Sequence, residues 1–132
     1  MAGQRCIRYL NLFPNTIPML ENITTKRAVA DEVTVCKSRW CQARGLMFTC
    51  KNEKSALIFE FGGERQVSLH MFFVFYAIDV IFMDKNKRVV DLKNNFRPFT
   101  AYSSGKKAKF VAEVAAGLAG KSRTKIGDRM SF

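Results

Sequence analysis

The sequence has few of the features that identify a catalytic, metal-binding or membrane protein directly. Its 132 residues include one histidine, one tryptophan and three prolines, and no internal repeat. The single histidine has no second imidazole with which to share a metal ion. The most apolar stretch, from Leu69 to Met83, is shorter than the ~20 residues that a membrane-spanning helix needs. We therefore expect no histidine-based metal centre and no membrane partner.

Acidic residues are scarce relative to basic ones. The chain has 22 Lys and Arg residues against 11 Asp and Glu residues, a formal net charge of +11. Most of the excess lies between Lys85 and Arg129, where twelve basic residues stand against three acids, Asp91, Glu113 and Asp128. Such a field attracts polyanions, acidic partners or an anionic membrane surface. A solvated basic surface with no partner is equally consistent with this composition.

An export segment is not recognisable between Met1 and Leu12, so we expect a cytoplasmic protein whose four cysteines are reduced. Cys36, Cys41 and Cys50 could bind zinc together with His70. Their spacings lack the paired C-x-x-C arrangement that identifies such sites, and small buried thiols are the commoner explanation. We therefore predict no metal and no cofactor.

What the sequence does contain is a series of short β-type segments separated by turns. Its composition is 48% hydrophobic and 12% aromatic, so we expect residues 1–132 to form one globular domain. Strands are predicted over residues 5–12, 24–35, 55–61, 67–75, 77–84, 88–92, 109–115 and 128–132, with a turn at 62–63, a helix over 39–47 and a helical turn over 117–122. This pattern predicts an all-β fold, a compact β-sandwich or small barrel with one or two short helices.

Four residues are candidates for a ligand-binding site. Asp79 interrupts a very apolar strand, and a carboxylate there must find a partner because unpaired buried charge is costly. Arg44 is the favoured partner in an ion pair, although an arginine there could equally bind a carboxylate or a phosphate. In a functional alternative, Arg44, Asp79, His70 and Tyr102 line one polar pocket. That pocket would have the groups for acid–base chemistry on a small ligand.

A second candidate site is basic. Six residues form two clusters that could contact nucleic-acid phosphates: Lys106, Lys107, Lys109, Lys121, Arg123 and Lys125. Four nearby aromatic residues could stack on bases: Phe96, Phe99, Tyr102 and Phe110. For Phe99 and Phe110 a place in the core is the commoner explanation.

An ordered set of short motifs resembles one known family. The motifs are Arg44-Gly45-Leu46-Met47-Phe48, Leu57 to Phe61, His70-Met71 with Asp79 eight positions after the methionine, Val80 to Asp84, Arg88 to Asp91, Pro98, Tyr102, Glu113 with Ala116-Gly117, and Lys125 to Arg129. Over about residues 27–132 the chain is similar to domain-of-unknown-function family 192, also called uncharacterised protein family 0127. The resemblance implies a compact all-β fold with a short helix near Arg44, and it brings no established activity.

The chain also departs from that family's pattern. His70 stands where many relatives have tryptophan, and Ala77 stands where many have proline. Many relatives begin with an export or lipoprotein signal, and no such signal is recognisable in this sequence. We therefore expect that an extracytoplasmic role does not carry over to this chain.

Three functional hypotheses remain open at this point. The first is a non-enzymatic β domain that binds a small or polymeric ligand in a polar cleft at Arg44, His70, Asp79 and Tyr102. The second is a nucleic-acid-binding module that uses the basic C-terminal half. The third is an enzyme with an unrecognised active site. The first rests on analogy with other compact β domains that bind ligands. The ligand's identity and the oligomeric state stay open.

Overall fold

Short strands make up most of the structure. The computed structural model describes residues 16–17, 19–37, 54–72 and 74–132. The strands are β1 (Thr16–Ile17), β2 (Leu20–Asn22), β3 (Arg27–Ala30), β4 (Glu32–Cys36), β5 (Ser55–Arg65), β6 (Ser68–His70), β7 (Ile78–Met83), β8 (Val89–Phe96), β9 (Ala101–Ser103), β10 (Ala108–Ala115) and β11 (Met130–Ser131). The short helix α1 (Leu118–Lys121) lies between β10 and β11. The prediction of an all-β fold with a short helix is confirmed. The predicted strand over 5–12 and helix over 39–47 lie outside the described residues.

The strands form three sheets. The main sheet has six strands in the order β1-β4-β5-β10-β7-β8, and of its neighbours only β4 and β5 run parallel. The three-stranded sheet β11-β2-β3 packs against one face of the main sheet through the first hydrophobic cluster. The two-stranded sheet β6-β9 packs against the other face through the second cluster. Of the two predicted alternatives, the described residues form layered sheets rather than a closed barrel.

Two interior strands of the main sheet, β10 and β7, are covered on both faces. All six residues of β7 are buried, and the only partly exposed residue of β10 is Lys109. A strand covered on both faces needs apolar side chains at successive positions, and every residue of β7 except Asp79 supplies one. Successive side chains alternate between the two clusters, with Ile81 in the first and Phe82 in the second.

Three predicted elements have different limits in the structure. The predicted turn at Gly62-Gly63 is wrong, because β5 continues through both glycines to Arg65 and pairs with β10 as far as Ala108. The predicted strand over 67–75 is reduced to β6, after which Met71 hydrogen-bonds to the connection that precedes β9. The predicted strand over 24–35 divides at Asp31, because β3 belongs to the three-stranded sheet and β4 to the main sheet.

A buried hydrogen-bond network joins β2 to the connection between α1 and β11. The Asn22 side-chain amide donates to Thr124 Oγ1 at 3.1 Å and to Asp128 Oδ2 at 2.9 Å, and Asp128 Oδ2 also accepts the Lys125 backbone N–H at 3.0 Å. Burial alone would raise the pKa of Asp128. The hydrogen bonds from Asn22 and Lys125, with the Lys125 charge, outweigh burial and hold this pKa below its ordinary value. The network therefore keeps Asp128 ionised beneath the surface.

Asp79 joins two strands, β7 and β8, to the helix α1 at one end of the main sheet. Its carboxylate accepts the backbone N–H groups of Asn95 at 2.9 Å, Gly117 at 2.9 Å and Ala119 at 3.2 Å. The side chain is only 2% exposed, so these donors replace water. Asn95 and Gly117 both have positive φ angles, of 50° and 98°. The carboxylate therefore holds the end of β8 and the start of α1 against β7.

Replacing Asp79 should destabilise the fold. We expect Asp79→Ala to lower the free energy of unfolding by about 3 kcal/mol, because three buried N–H groups lose a charged acceptor. Asp79→Asn keeps one carbonyl acceptor and should cost less. Urea denaturation followed by circular dichroism measures both, with the exposed Asp31→Ala as matched control. Equal midpoints for Asp79→Ala and Asp31→Ala would contradict this role.

Candidate functional site

A hydrogen-bonded pair of side chains lies over the second cluster. The Tyr102 O–H on β9 donates to Asp91 Oδ2 on β8 at 2.9 Å, and the same oxygen accepts the Gly105 N–H at 2.9 Å. Asp91 Oδ1 accepts the Leu92 N–H at 2.8 Å. The hydrogen bond to Asp91, burial of the ring and the Asp91 charge all raise the pKa of Tyr102. The phenol therefore stays protonated and acts as a donor.

Aromatic rings and one lysine surround this pair. The Tyr102 ring centroid lies 5.8 Å from that of Phe82 and 6.3 Å from that of Phe96. Lys93 Nζ lies 5.4 Å from the centroid of the Tyr102 ring, within the range of a cation–π contact. Tyr102 is thus fixed between apolar rings and a cation, and its hydroxyl group points at Asp91.

Glu113 is a buried carboxyl at the centre of the main sheet. It lies on β10 between Leu57 of β5 and Val80 of β7, and it is 8% exposed. Among the described residues, none forms a hydrogen bond or ion pair with this carboxyl group. Burial alone raises its pKa to about 8. The Glu113 carboxyl group is therefore mostly protonated at neutral pH.

Glu113, Asp91, Lys93 and Tyr102 share one face of the main sheet, which we call the Glu113 face. Lys93 pairs with Val80, which pairs with Glu113, so Lys93 and Glu113 are two strands apart in one row. At the usual strand spacing their backbones are about 10 Å apart. Asp91 lies two residues from Lys93 and therefore on the same side of the sheet. The face combines an acid–phenol pair, a cation and a buried carboxyl group.

The structure does not bring the predicted site residues into one pocket. Tyr102 lies on the Glu113 face, whereas Asp79 pairs with Val114 and points to the opposite side of the main sheet. His70 is exposed, and its Nδ1 accepts a long hydrogen bond of 3.4 Å from the Phe72 N–H. Arg44, and with it the predicted Arg44–Asp79 ion pair, lies outside the described residues. Ligand binding by each residue stays a prediction.

Asp91, Lys93 and Glu113 were not predicted as site residues from the sequence. Phe110, Ala112 and Val114 alternate along the strand predicted over 109–115 and form its apolar face, so Glu113 falls on the other face. Val111 is two residues before Glu113 and lies on the same face, so that face is apolar as well. This apolar neighbour is the feature of the sequence that indicated a buried acid.

The six basic residues lie on two separate parts of the molecule. Lys106 and Lys107 are exposed in the connection from β9 to β10, beside the Glu113 face, and Lys109 is partly exposed at the start of β10. Lys121, Arg123 and Lys125 are exposed on α1 and the loop after it. This segment covers the other side of the main sheet, because Leu118 packs against the first cluster. The two clusters therefore do not form one continuous surface.

Cys36 differs from its predicted state. It is disulfide-bonded, and its partner lies outside the described residues. The expectation of reduced thiols is therefore wrong at Cys36, and this sulfur is not a thiolate that could join His70 at a zinc ion. The described ranges contain no group of three or more metal-ligating side chains. They also contain no helix that is both long and apolar enough to cross a membrane.

Fold and site together define a small layered all-β domain with a buried polar face. A model of the family DUF192, described as "Uncharacterized ACR, COG1430", matches residues 21–132, and the chain belongs to this family. The resemblance based on the motifs is thus confirmed. The UPF0127 protein of Thermococcus sibiricus is 35% identical over 116 residues, which cover 86% of this chain and 74% of the relative. A Pyrococcus horikoshii UPF0127 protein is 33% identical over 116 residues, 86% of this chain and 98% of the relative.

Two solved structures are similar in fold. A protein of unknown function from Novosphingobium aromaticivorans has a TM-score of 0.82 and 21% identity, with coverage of 100% of this chain and 97% of that one. A protein from Sinorhizobium meliloti, provisionally described as a transcription regulator, has a TM-score of 0.76 and 21% identity, with coverage of 86% and 89%. At this identity the likeness shows the fold alone.

The buried carboxyl of Glu113 should make stability depend on pH. Its pKa in the folded protein is about 8, against an ordinary value of 4.5, so the folded state binds this proton more tightly than the unfolded chain does. Its contribution is therefore most favourable below the ordinary pKa and is lost as pH rises through the folded pKa. We expect Glu113→Gln to match the parent at about pH 4 and to be the more stable of the two at about pH 9.

Urea denaturation across that pH range measures the difference between parent and variant. The exposed Glu64→Gln controls for the loss of one carboxylate from a neighbouring strand. A difference between parent and Glu113→Gln that does not change with pH would contradict the shifted pKa.

Proposed function

We propose that this chain is a non-enzymatic β domain that binds a small polar ligand at the Glu113 face. The observation that carries the proposal is the Glu113 carboxyl, 8% exposed and without a hydrogen-bond partner among the described residues. No side-chain oxygen of the described residues is both fully buried and without a partner, so the Glu113 carboxyl keeps some contact with solvent. Its raised pKa in an apolar setting makes it a candidate binding group, and a ligand that donates to or accepts from this carboxyl would replace that solvent.

Other groups on the same face support a polar ligand rather than an apolar one. Lys93 offers a cation two strands away from Glu113, and Tyr102 is held in a fixed orientation by its hydrogen bond to Asp91. The flanking apolar residues Leu57 and Val80 leave the Glu113 carboxyl as the polar contact at the centre of the row. Small-molecule sites commonly combine apolar walls with a few oriented polar groups in this way.

Part of the sequence-based site is retained in this proposal. Tyr102 keeps its assignment as a ligand-binding residue, and so does Arg44 as the predicted carboxylate or phosphate contact. Asp79 is bound by three backbone N–H groups, and His70 lies in the exposed β6 strand. We therefore centre the site on Glu113 and leave these two residues outside it.

A thermal-shift screen tests the proposal. The purified chain is incubated with amines, carboxylic acids, sugars and nucleotides, each at low and at high salt. A ligand that binds only the folded state raises the melting midpoint by mass action, so a compound at about 100 times its Kd should stabilise by about 2.7 kcal/mol. We expect a salt-resistant shift with at least one compound, and loss of that shift in Glu113→Gln.

The exposed Glu64→Gln is the matched control, because it also removes one carboxylate and should keep the shift. Circular dichroism of Glu113→Gln confirms that the variant is folded. If no compound produces a shift, or if the shift persists in Glu113→Gln, then Glu113 is a buried acid without a ligand and the proposal is wrong.

Nucleic-acid binding is a second candidate function, supported by the exposure of five of the six predicted basic residues. The provisional description of the Sinorhizobium meliloti protein as a transcription regulator points the same way. Because the two basic clusters lie apart, each would contact phosphates on its own. We expect oligonucleotide affinity to fall steeply with salt, and Lys106→Ala with Lys107→Ala to reduce the salt slope by about 2. Salt-independent binding in fluorescence anisotropy would contradict phosphate contacts.

A cytoplasmic location belongs to the proposal and rests on the sequence. The disulfide at Cys36 is typical of oxidising compartments, but intracellular proteins of hyperthermophilic archaea also contain disulfides. The location is therefore tested by fractionating cells that express the chain rather than by the disulfide.

A further inference from the structure

Three phenylalanines are exposed on two hydrogen-bonded connections at one end of the main sheet, and the ring of one of them, Phe72, lies 5.0 Å from the His70 ring. The side chains of Phe72, Phe75 and Phe99 are 51%, 62% and 58% exposed, and we call them the aromatic tip. The ring centroids of Phe75 and Phe99 lie 5.9 Å apart in an edge-to-face arrangement. Two backbone hydrogen bonds join the segments that carry them, from the Phe99 N–H to the Met71 carbonyl at 2.9 Å and from the Met71 N–H to the Thr100 carbonyl at 2.8 Å.

The backbone conformation of Phe99 indicates that its aromatic side chain has a role other than packing. Phe99 has a φ of 62°, in the left-handed region that bulky residues rarely occupy. Glycine or asparagine would fit the same turn with less strain. The ring is more than half exposed, so burial of the side chain does not offset that strain. Strained positions of this kind are typical of functional surfaces.

The size of the aromatic tip argues against a second copy of the chain as its partner. With about 150–250 Å² for each aromatic side chain, the exposed part of the three rings amounts to roughly 300 Å². A stable protein–protein interface buries about 800 Å² on each partner. A patch this small, made of protruding rings, is suited to insertion between lipid headgroups. Electrostatic attraction between basic side chains and anionic lipids there adds to the binding free energy of the inserted rings.

A basic side chain lies beside the aromatic tip. Arg97 is exposed two residues before Phe99, in the same connection. This positive charge is in keeping with the net charge of +11, which attracts the chain to anionic surfaces.

We propose that the aromatic tip docks the protein on an anionic lipid surface, with Phe72, Phe75 and Phe99 inserted among the headgroups. Apolar insertion and attraction of Arg97 and of the net positive charge to anionic lipids act together in such docking. The sequence-based expectation of no membrane partner concerned a spanning segment, and docking of this kind requires none. The proposal does not depend on the Glu113 face.

Vesicle sedimentation with the full chain tests this docking. We expect the chain to sediment with vesicles of phosphatidylcholine and phosphatidylglycerol, and more weakly with vesicles of phosphatidylcholine alone. Phe99→Gly should lower the partition coefficient about tenfold, the effect of removing one inserted ring. The same substitution relieves backbone strain, so its thermal midpoint should be equal to or above that of the parent.

Ile126→Ser is the matched control. Ile126 is 63% exposed and follows Lys125 in a loop that bonds to Val89, at the opposite end of the main sheet. Its removal should leave vesicle binding unchanged. The proposal is overturned if the parent does not sediment with anionic vesicles, or if Phe99→Gly binds as the parent does. It is also overturned if analytical ultracentrifugation shows a dimer that Phe99→Gly abolishes, which would assign the tip to a second copy.

Discussion

Polar groups on β7 and β10 have little access to water, because both strands are covered on both faces. Two carboxyl groups respond to this constraint in different ways. Asp79 pairs with Val114, and its neighbour Val80 pairs with Glu113, so the two acids lie close together on adjacent strands but point to opposite faces. Asp79 receives three backbone N–H groups, whereas Glu113 has apolar neighbours on both sides. The first is therefore a structural group, and the second is the one left with unused hydrogen-bonding capacity.

The local features of the fold could be predicted from the sequence. The turn between β7 and β8 is an example, because Asp84 accepts the N–H groups of Asn86 and Lys87 within four residues. Features that depend on distant residues could not be predicted in the same way. The donors to Asp79 come from Asn95 and from residues 117 and 119, which are between 16 and 40 positions away. The pair Gly62-Gly63 is ordinarily a turn, yet β5 runs through it, and its pairing with β10 is irregular between Glu60 and Arg65.

Only one residue of the candidate site, Tyr102, could be predicted from the sequence. Tyr102 was identified from the sequence, but its partner Asp91 became apparent only when β8 and β9 were placed beside each other. Glu113 required the knowledge that its strand is central, because the same alternation on an edge strand would put a glutamate in water. The two proposed surfaces also differ in whether distant or local residues define them. The Glu113 face is defined by strand order, whereas the exposed aromatic tip is defined by local loop geometry.

The pairing of β2 with β11 has a consequence for how the chain acquires its structure. Asn22 and Asp128 are 106 positions apart, yet their contact is part of the same buried layer that covers the first cluster. Closing so long a loop is entropically unfavourable, and contacts of high sequence separation slow folding. During synthesis, β2 has no strand partner at this edge until residues 130 and 131 have left the ribosome. The nascent chain therefore exposes one side of its main sheet until β11 has been synthesised, which makes this interval its period of greatest exposure to aggregation.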